Sequence, residues 1–331
     1  MLEIRRREFI AGLGGAAAWP LAARAQQAIV PVIGFLFAGS REANIYDQAF
    51  RKGLSEMGLV EPRNITIDYR YAGDQYDRLP RLAAELANRQ VNVIFAGGGS
   101  LAAAAAKSAT KTIPIVFHNG ADPVETGLVE SFNRPELNLT GISFMNAALT
   151  AKRIGLLHDL VPSASRFAFL INPSANKNVV SSQTANAKAA IAAIGRQLEI
   201  FNASTNDEID SGFASMLQWR AEALVIGGEA LFAGRGARQL ATLAVRHALP
   251  AIHFEREYIG AGGLMSYGSS LADTYRLSGN YVGRVLKGEK PADLPVMQPT
   301  RFELVINLTT ARAIGVEVPP TLLAIADEVV Q

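Results

Sequence analysis

Apolar positions along this chain fall into short solid runs separated by segments with helical spacing. Val30–Phe37, Val91–Ala96 and Ile113–Phe117 are solid runs, as expected of strands buried on both faces. Asn64–Tyr71 alternates apolar and polar positions, the pattern of a strand with one wet face. Between and after them, Glu42–Met57, Asp77–Asn88, Ser100–Ser108 and Val124–Phe132 carry the spacing of helices. Strand and helix therefore alternate four times, which predicts a parallel sheet with helices on both faces.

The pattern then repeats. Strands are predicted at Arg166–Ile171, Leu198–Asn202, Ala223–Ile226 and Pro250–Phe254, with helices at Asn178–Ile194, Asp207–Trp219 and Ala230–His247. Matching landmarks keep nearly constant offsets: Phe35 with Leu170, Ile67 with Ile200, Gly97-Gly98 with Gly227-Gly228, and Pro114 with Pro250 lie 130 to 136 residues apart. TKTIPIVFHN and VRHALPAIHFE read alike. The fold class is α/β, with two tandem doubly wound, Rossmann-like domains. The tail adds a strand at Ala261–Gly268, a helix at Asp273–Leu286, and one or two strands with a short helix. These extra segments imply several crossings between the domains, expected near 141–146, 261–264 and 299–301. The expected division is residues 29–143 plus 265–298 for lobe 1, and 146–261 plus 301–331 for lobe 2. In open α/β sheets, ligands bind beyond the carboxyl ends of the strands, so two facing domains line one cleft.

The first 25 residues read differently. Arg5, Arg6 and Arg7 precede Phe9 and Ile10, then comes a small and apolar stretch, then Ala23-Arg24-Ala25. A basic start, an apolar middle and an A-x-A site describe a cleaved secretory signal, and the arginine pair followed by x-Phe-Ile describes the twin-arginine route. An ordinary Sec signal or a helical anchor is the alternative. Cleavage near Ala25 removes four arginines and two glutamates from the 32 basic and 30 acidic residues, leaving a chain of net charge zero. Nucleic acid as a partner is disfavoured, because phosphate binding needs a basic stripe. With no cysteine there is neither a disulfide framework nor a thiol nucleophile. Four scattered histidines give no metal-ligand spacing, and no cofactor is implied.

Candidate chemistry sits at the strand ends. Gly97-Gly98-Gly99-Ser100-Leu101-Ala102 fits G-x-G-x-x-A, but in the third βα unit, without the distal acid of a dinucleotide site and without a Walker lysine. Gly99 and Ser100 open a helix whose N–H groups suit a carboxylate or a phosphate; the alternative is that Ser100 only caps it. As a degraded nucleophile elbow, Ser100 would need His118 or another histidine as partner. Asp122 begins a capping box and also stands where it could meet an ammonium group. Asn172 and Asn176 occupy the matching crest of the second half, as turn and cap residues or as ligand contacts. Glu229 follows the second glycine turn, opposite Ser100. Phe37, Tyr46, Phe254 and Tyr267 lie at or just after strand ends, in reach of a cleft, although aromatic residues more often fill cores, and Ser40 and Asn119 join them as candidate ligand contacts.

The twin-arginine start, AFRKGLSEMGLVEPRNITIDYRYA, IPIVFHNGADPVETGLVESFNRPELNLTG, LINPSANKN, GGLMSYG and KGEKPADLPVMQPTRFELVINLTTARAIG together resemble the ABC-transporter substrate-binding proteins. The chain is similar to the group that includes tryptophan- and phenylalanine-binding periplasmic proteins, from about Pro31 to Val329. It departs from that pattern at VEPRN and RPELN, where the family has glycine in the turn. The resemblance implies a type I periplasmic-binding architecture with hinge crossovers, closing on a small-molecule ligand. It implies carboxylate contacts near Ser100 and Asn119, an acid for an ammonium group, and aromatic stacking. It also implies ABC permease and ATPase partners, a monomer, a periplasmic location and no catalysis. Two other classes stand beside it: a ligand-sensing subunit of a signalling receptor, and an enzyme such as a periplasmic hydrolase using Ser100.

Overall fold

A computed structural model describes residues 30–42, 44–135 and 138–331. The twin-arginine segment and its cleavage site lie outside these residues, as do two positions of RPELN. The chain begins with β1 (Val32–Phe37), α1 (Asp47–Glu56), β2 (Thr66–Tyr71), α2 (Leu79–Asn88), β3 (Val93–Gly97), α3 (Ser100–Ala109), β4 (Ile115–Asn119) and β5 (Leu139–Ser143). It continues with α4 (Thr150–Leu160), β6 (Arg166–Ile171), α5 (Lys177–Ala193), β7 (Gln197–Asn202), α6 (Asn206–Gln218), β8 (Ala223–Ile226), α7 (Arg235–Arg246), β9 (Ala251–His253) and α8 (Glu257–Gly260). The tail supplies β10 (Met265–Ser269), α9 (Leu271–Leu286), β11 (Phe302–Asn307), α10 (Leu308–Ala313), α11 (Pro320–Ile325) and β12 (Glu328–Val330).

The first sheet runs β2-β1-β3-β4-β5, all parallel. The second runs β7-β6-β8-β9-β10 and then adds β11 and β12. Its first five strands repeat the order of the first sheet, so the sequence repeat is also a repeat of topology. Only the step from β10 to β11 is antiparallel. The inner strands β3 and β4 are buried along their whole length, which is why they read as solid apolar runs, whereas the edge strands β2 and β7 are partly exposed. Each sheet carries an apolar core on both faces.

Three expectations need correction. Residues 265–298 were placed in the first lobe, but β10 pairs with β9 and β11 in the second sheet. Its position is that of β5 in the first sheet, so the chain returns only after Ser269, and α9 then packs on α1 of the first lobe. Val124–Phe132 is a set of turns, not a helix. Gly127 stands at φ 70°, and Leu128 and Val129 both donate to the Pro123 carbonyl, which closes the turn before a helix can propagate. Ala230–His247 is broken by Gly234 at φ 51°, leaving a 3-10 turn at Ala230–Phe232 ahead of α7. At VEPRN, the Asn64 amide closes the turn by accepting from Val60 N and donating to the Gly58 carbonyl.

Candidate functional site

The carboxyl ends of both sheets face one cavity of about 90 Å³. From the first lobe it is lined by the glycine turn after β3. Gly98 and Gly99 take φ of 81° and 123°, and a Cβ at Gly98 would lie 2.9 Å from Ala38 N. Ser100 is buried as the first residue of α3, and no side chain caps that helix, so the capping reading of Ser100 does not hold. Tyr46, just ahead of α1, stacks on Tyr275 of α9 at 5.1 Å. His118 at the end of β4 stacks on Phe144 at 4.7 Å.

From the second lobe comes Glu229. Its Oε1 accepts from Gln183 Nε2 at 2.9 Å, and Gln183 Oε1 in turn accepts from Gly228 N at 3.1 Å. The other oxygen, Oε2, is buried without a partner. Burial pushes the Glu229 carboxyl up to about 7, against the Gln183 hydrogen bond and the nearby Arg153, which favour its charged form. Glu255 behind the cavity is pushed up to about 8 by burial and by neighbouring Glu257, and its Oε1 accepts from the Tyr46 hydroxyl across the lobes.

Both buried histidines near the cleft are neutral. Burial lowers His118 and His253 to about 3. His253 Nδ1 accepts from Glu255 N, so its Nε2 donates to the Phe232 carbonyl. Thr274 Oγ1 donates to the Leu271 carbonyl, so His118 Nε2 donates to Thr274. His118 is thereby engaged away from Ser100.

Of the residues singled out from sequence, Tyr46, Gly99, Ser100, Asn176, Glu229 and Phe254 line the cavity. Asn176 does so while capping α5 through Asn178 N. Five others do not line it. Ser40 lies beyond β1 and bonds Glu42. Asn119 is fully buried, its Oδ1 held by Ala121 N. Asp122 accepts from Val124 N and Glu125 N, which ties it into its own turn. Asn172 accepts from Ser174 N and donates to the Tyr76 hydroxyl. Tyr267 packs toward Phe302 on β11.

A model of the ABC transporter substrate binding protein family matches residues 30–330. The chain belongs to that family. This substrate-binding protein is 26% identical over 272 residues to the tyrosine-binding protein of Clostridioides difficile (strain R20291), covering 82% of this chain and 76% of the relative. Its fold is similar to that of a conserved domain protein from Vibrio cholerae, with TM-score 0.82, 23% identity, and coverage of 91% of this chain and 99% of that one. An ABC domain from Streptococcus pneumonia in complex with L-Trp gives TM-score 0.80 at 24% identity and the same coverage. The ligand-free, open form of a Clostridium difficile substrate-binding protein with adhesive properties gives 0.63, also at 24% and the same coverage.

Several residues that line the site of this substrate-binding protein were missed from sequence. Asn146, Gln183, Tyr76, Phe144 and Tyr275 all line the cavity, and so does His118, which the sequence offers only as a partner for Ser100. Tyr275 and Gln183 lie inside helices α9 and α5, where nothing in the local pattern separates a cleft residue from a core residue. Among the described residues no group of three or more acidic, histidine or cysteine side chains could hold a metal, and no helix is long and apolar enough to cross a membrane.

Proposed function

We propose that this protein is the solute receptor of an ABC importer and that its ligand is an amino acid with an aromatic side chain. The observation that carries this reading is the free Oε2 of Glu229, buried at a cavity that no lysine or arginine lines. A buried carboxylate needs a donor, and an ammonium group supplies one with charge. The N-terminus of α3 at Gly99 and Ser100 lines the same cavity from the first lobe and favours a carboxylate oxygen. The rings of Phe37, Tyr46, His118, Phe144, Phe254 and Tyr275 line the cavity with them. The names of two relatives, a tyrosine-binding protein and a complex with L-Trp, point to the same ligand class.

In this reading the protein acts by binding and not by turnover. A hydrolase built on Ser100 lacks a paired base, because His118 Nε2 is engaged with Thr274 and no hydrogen bond joins His118 to Ser100. The lobes close on the ligand about the crossovers, and interlobe bonds such as Tyr46 to Glu255 and Asn172 to Tyr76 belong to the closed arrangement. Residues 1–25 direct export to the periplasm by the twin-arginine route. There the monomer delivers its ligand to an inner-membrane permease driven by an ATPase.

Thermal unfolding of the refolded chain from Gln26 tests the ligand class. The panel holds L-phenylalanine, L-tyrosine, L-tryptophan, L-leucine, glucose and AMP. A ligand at a hundred times its dissociation constant adds about 2.7 kcal/mol, a midpoint rise of several degrees. We expect the rise with an aromatic amino acid. A rise with glucose or AMP alone, or with none of the panel, overturns the assignment.

A further inference from the structure

Asn146 lies on the segment that leaves β5 for the second lobe, one residue after a left-handed turn at Met145 with φ 58°. It is 3% exposed and lines the cavity. Its partner is Arg153, a fully buried arginine on α4. Arg153 Nη1 donates to Asn146 Oδ1 at 2.6 Å, and Nη2 donates to the Asn146 backbone carbonyl at 2.8 Å. A guanidinium has donors and no acceptor, so the amide oxygen must face it and the NH2 must face away. That NH2 is buried and has no hydrogen-bond partner. A buried amide donor without a partner is costly, and at a ligand cavity it marks a place that a ligand atom fills.

The surroundings are shaped to keep the amide in place. A Cβ at Gly228 would lie 1.6 Å from Asn146 Nδ2, so only glycine there leaves the amide its room. The next residue is Glu229, whose Oε2 is also buried at the cavity without a partner. One corner thus offers a free N–H donor and a free carboxylate oxygen on either side of a glycine. An α-amino acid carries the complementary pair, a carboxylate and an ammonium on one carbon.

We infer that Asn146 donates to a carboxylate oxygen of the ligand, and that Arg153 is the positioning residue that aims it. This assignment rests on the reading of the cavity as an amino-acid site. It also ties ligand contact to the interlobe segment itself, because the donor sits on the crossover and not on either crest.

The test is calorimetric titration of the chain from Gln26 with L-phenylalanine, L-tyrosine and L-tryptophan, on wild type and on Asn146→Ala, Asn146→Asp and Arg153→Lys. Loss of one hydrogen bond to a charged group weakens binding roughly tenfold or more, and we expect that for Asn146→Ala. Asn146→Asp keeps an oxygen for Arg153 and replaces the donor with a negative oxygen. We expect its ligand-free melting point to match or exceed wild type while its affinity falls below that of Asn146→Ala. Arg153→Lys cannot hold both acceptors in one fork and is expected to fall between wild type and Asn146→Ala. A purely structural role predicts the opposite for Asn146→Asp, namely restored affinity, and that result overturns the inference. Unchanged affinity in Asn146→Ala overturns it as well, and leaves the amino-acid reading intact. If wild type binds none of the three amino acids, the ligand class itself fails and this assignment fails with it.

Discussion

Glu229 is buried, with one satisfied oxygen and one free oxygen, and in its proposed role of holding an ammonium group it makes binding depend on pH. Its pKa in the ligand-free protein is raised from 4.5 to about 7, chiefly by burial, with Arg153 and the Gln183 hydrogen bond acting the other way and Tyr76 close by. The folded ligand-free state therefore holds a proton that the unfolded chain has released. Stability from this group is fully present below about pH 4.5 and is lost as pH rises through about 7. An ammonium ligand needs the ionised carboxylate, so its affinity rises over the same window, by at most tenfold per pH unit. Titrations from pH 5 to 8 are expected to show this rise, with Glu229→Gln both weaker by roughly tenfold or more and flat with pH. A wild-type affinity that is flat, or that falls as pH rises, sinks the ammonium role. Glu229 was legible because it follows a glycine turn that repeats the one before Ser100. Asn146 was not, because the property that distinguishes it is a contact with a buried arginine seven residues on.

Among the helices, the decisive device is the contact between α1 and α9, which brings the returning tail back onto the first lobe. It works through glycines. A Cβ at Gly53 would lie 1.9 Å from the Arg276 carbonyl oxygen, and one at Gly279 would lie 2.2 Å from the Phe50 carbonyl oxygen. The obstructing atoms are backbone, so neither side can yield by changing a rotamer. Gly279→Ala forces the helices apart and pulls α9's own Tyr281 and Val282 from the core, and is expected to cost about 1–3 kcal/mol despite alanine's better helix propensity. Urea unfolding checks it; an alanine variant as stable as wild type shows that the helices do not meet this closely. The strands and most helices were legible from periodicity alone, because inner parallel strands are apolar throughout and amphipathic helices are not. The failures came from turn chemistry. Asp122-Pro123 supplies the start signals of a helix, and the Asp122 carboxylate does accept from the next turn's N–H groups, yet Gly127 ends the turn at once. Alternation also could not say which sheet β10 joins, since a buried strand reads the same in either.

In the whole molecule, a duplicated 2-1-3-4-5 sheet order puts two sets of strand ends face to face, and a few bonds hold them there. Tyr46 donates to Glu255 at 3.1 Å, Asn172 to Tyr76 at 3.3 Å, and Asn178 to the Glu125 carbonyl at 3.2 Å, each joining one lobe to the other. The Tyr46 bond is the most consequential, because Glu255 is fully buried and its second oxygen has no partner. Removing the hydroxyl takes away the side-chain donor to Glu255 in the proposed closed arrangement, at a cost of about 1–3 kcal/mol, while an opened cleft lets water reach it. In the proposed hinge reading, Tyr46→Phe shifts the equilibrium toward open lobes, and apparent affinity falls with the fraction that remains closed. The ring stays to stack on Tyr275, so packing is kept. Small-angle scattering of the ligand-free protein separates this from a lost ligand contact: Tyr46→Phe is expected to have a larger radius of gyration than wild type, and saturating ligand is expected to return it to the wild-type liganded value. An identical radius in both ligand-free proteins, with affinity still reduced, assigns Tyr46 to the ligand and removes it from the closure of the lobes.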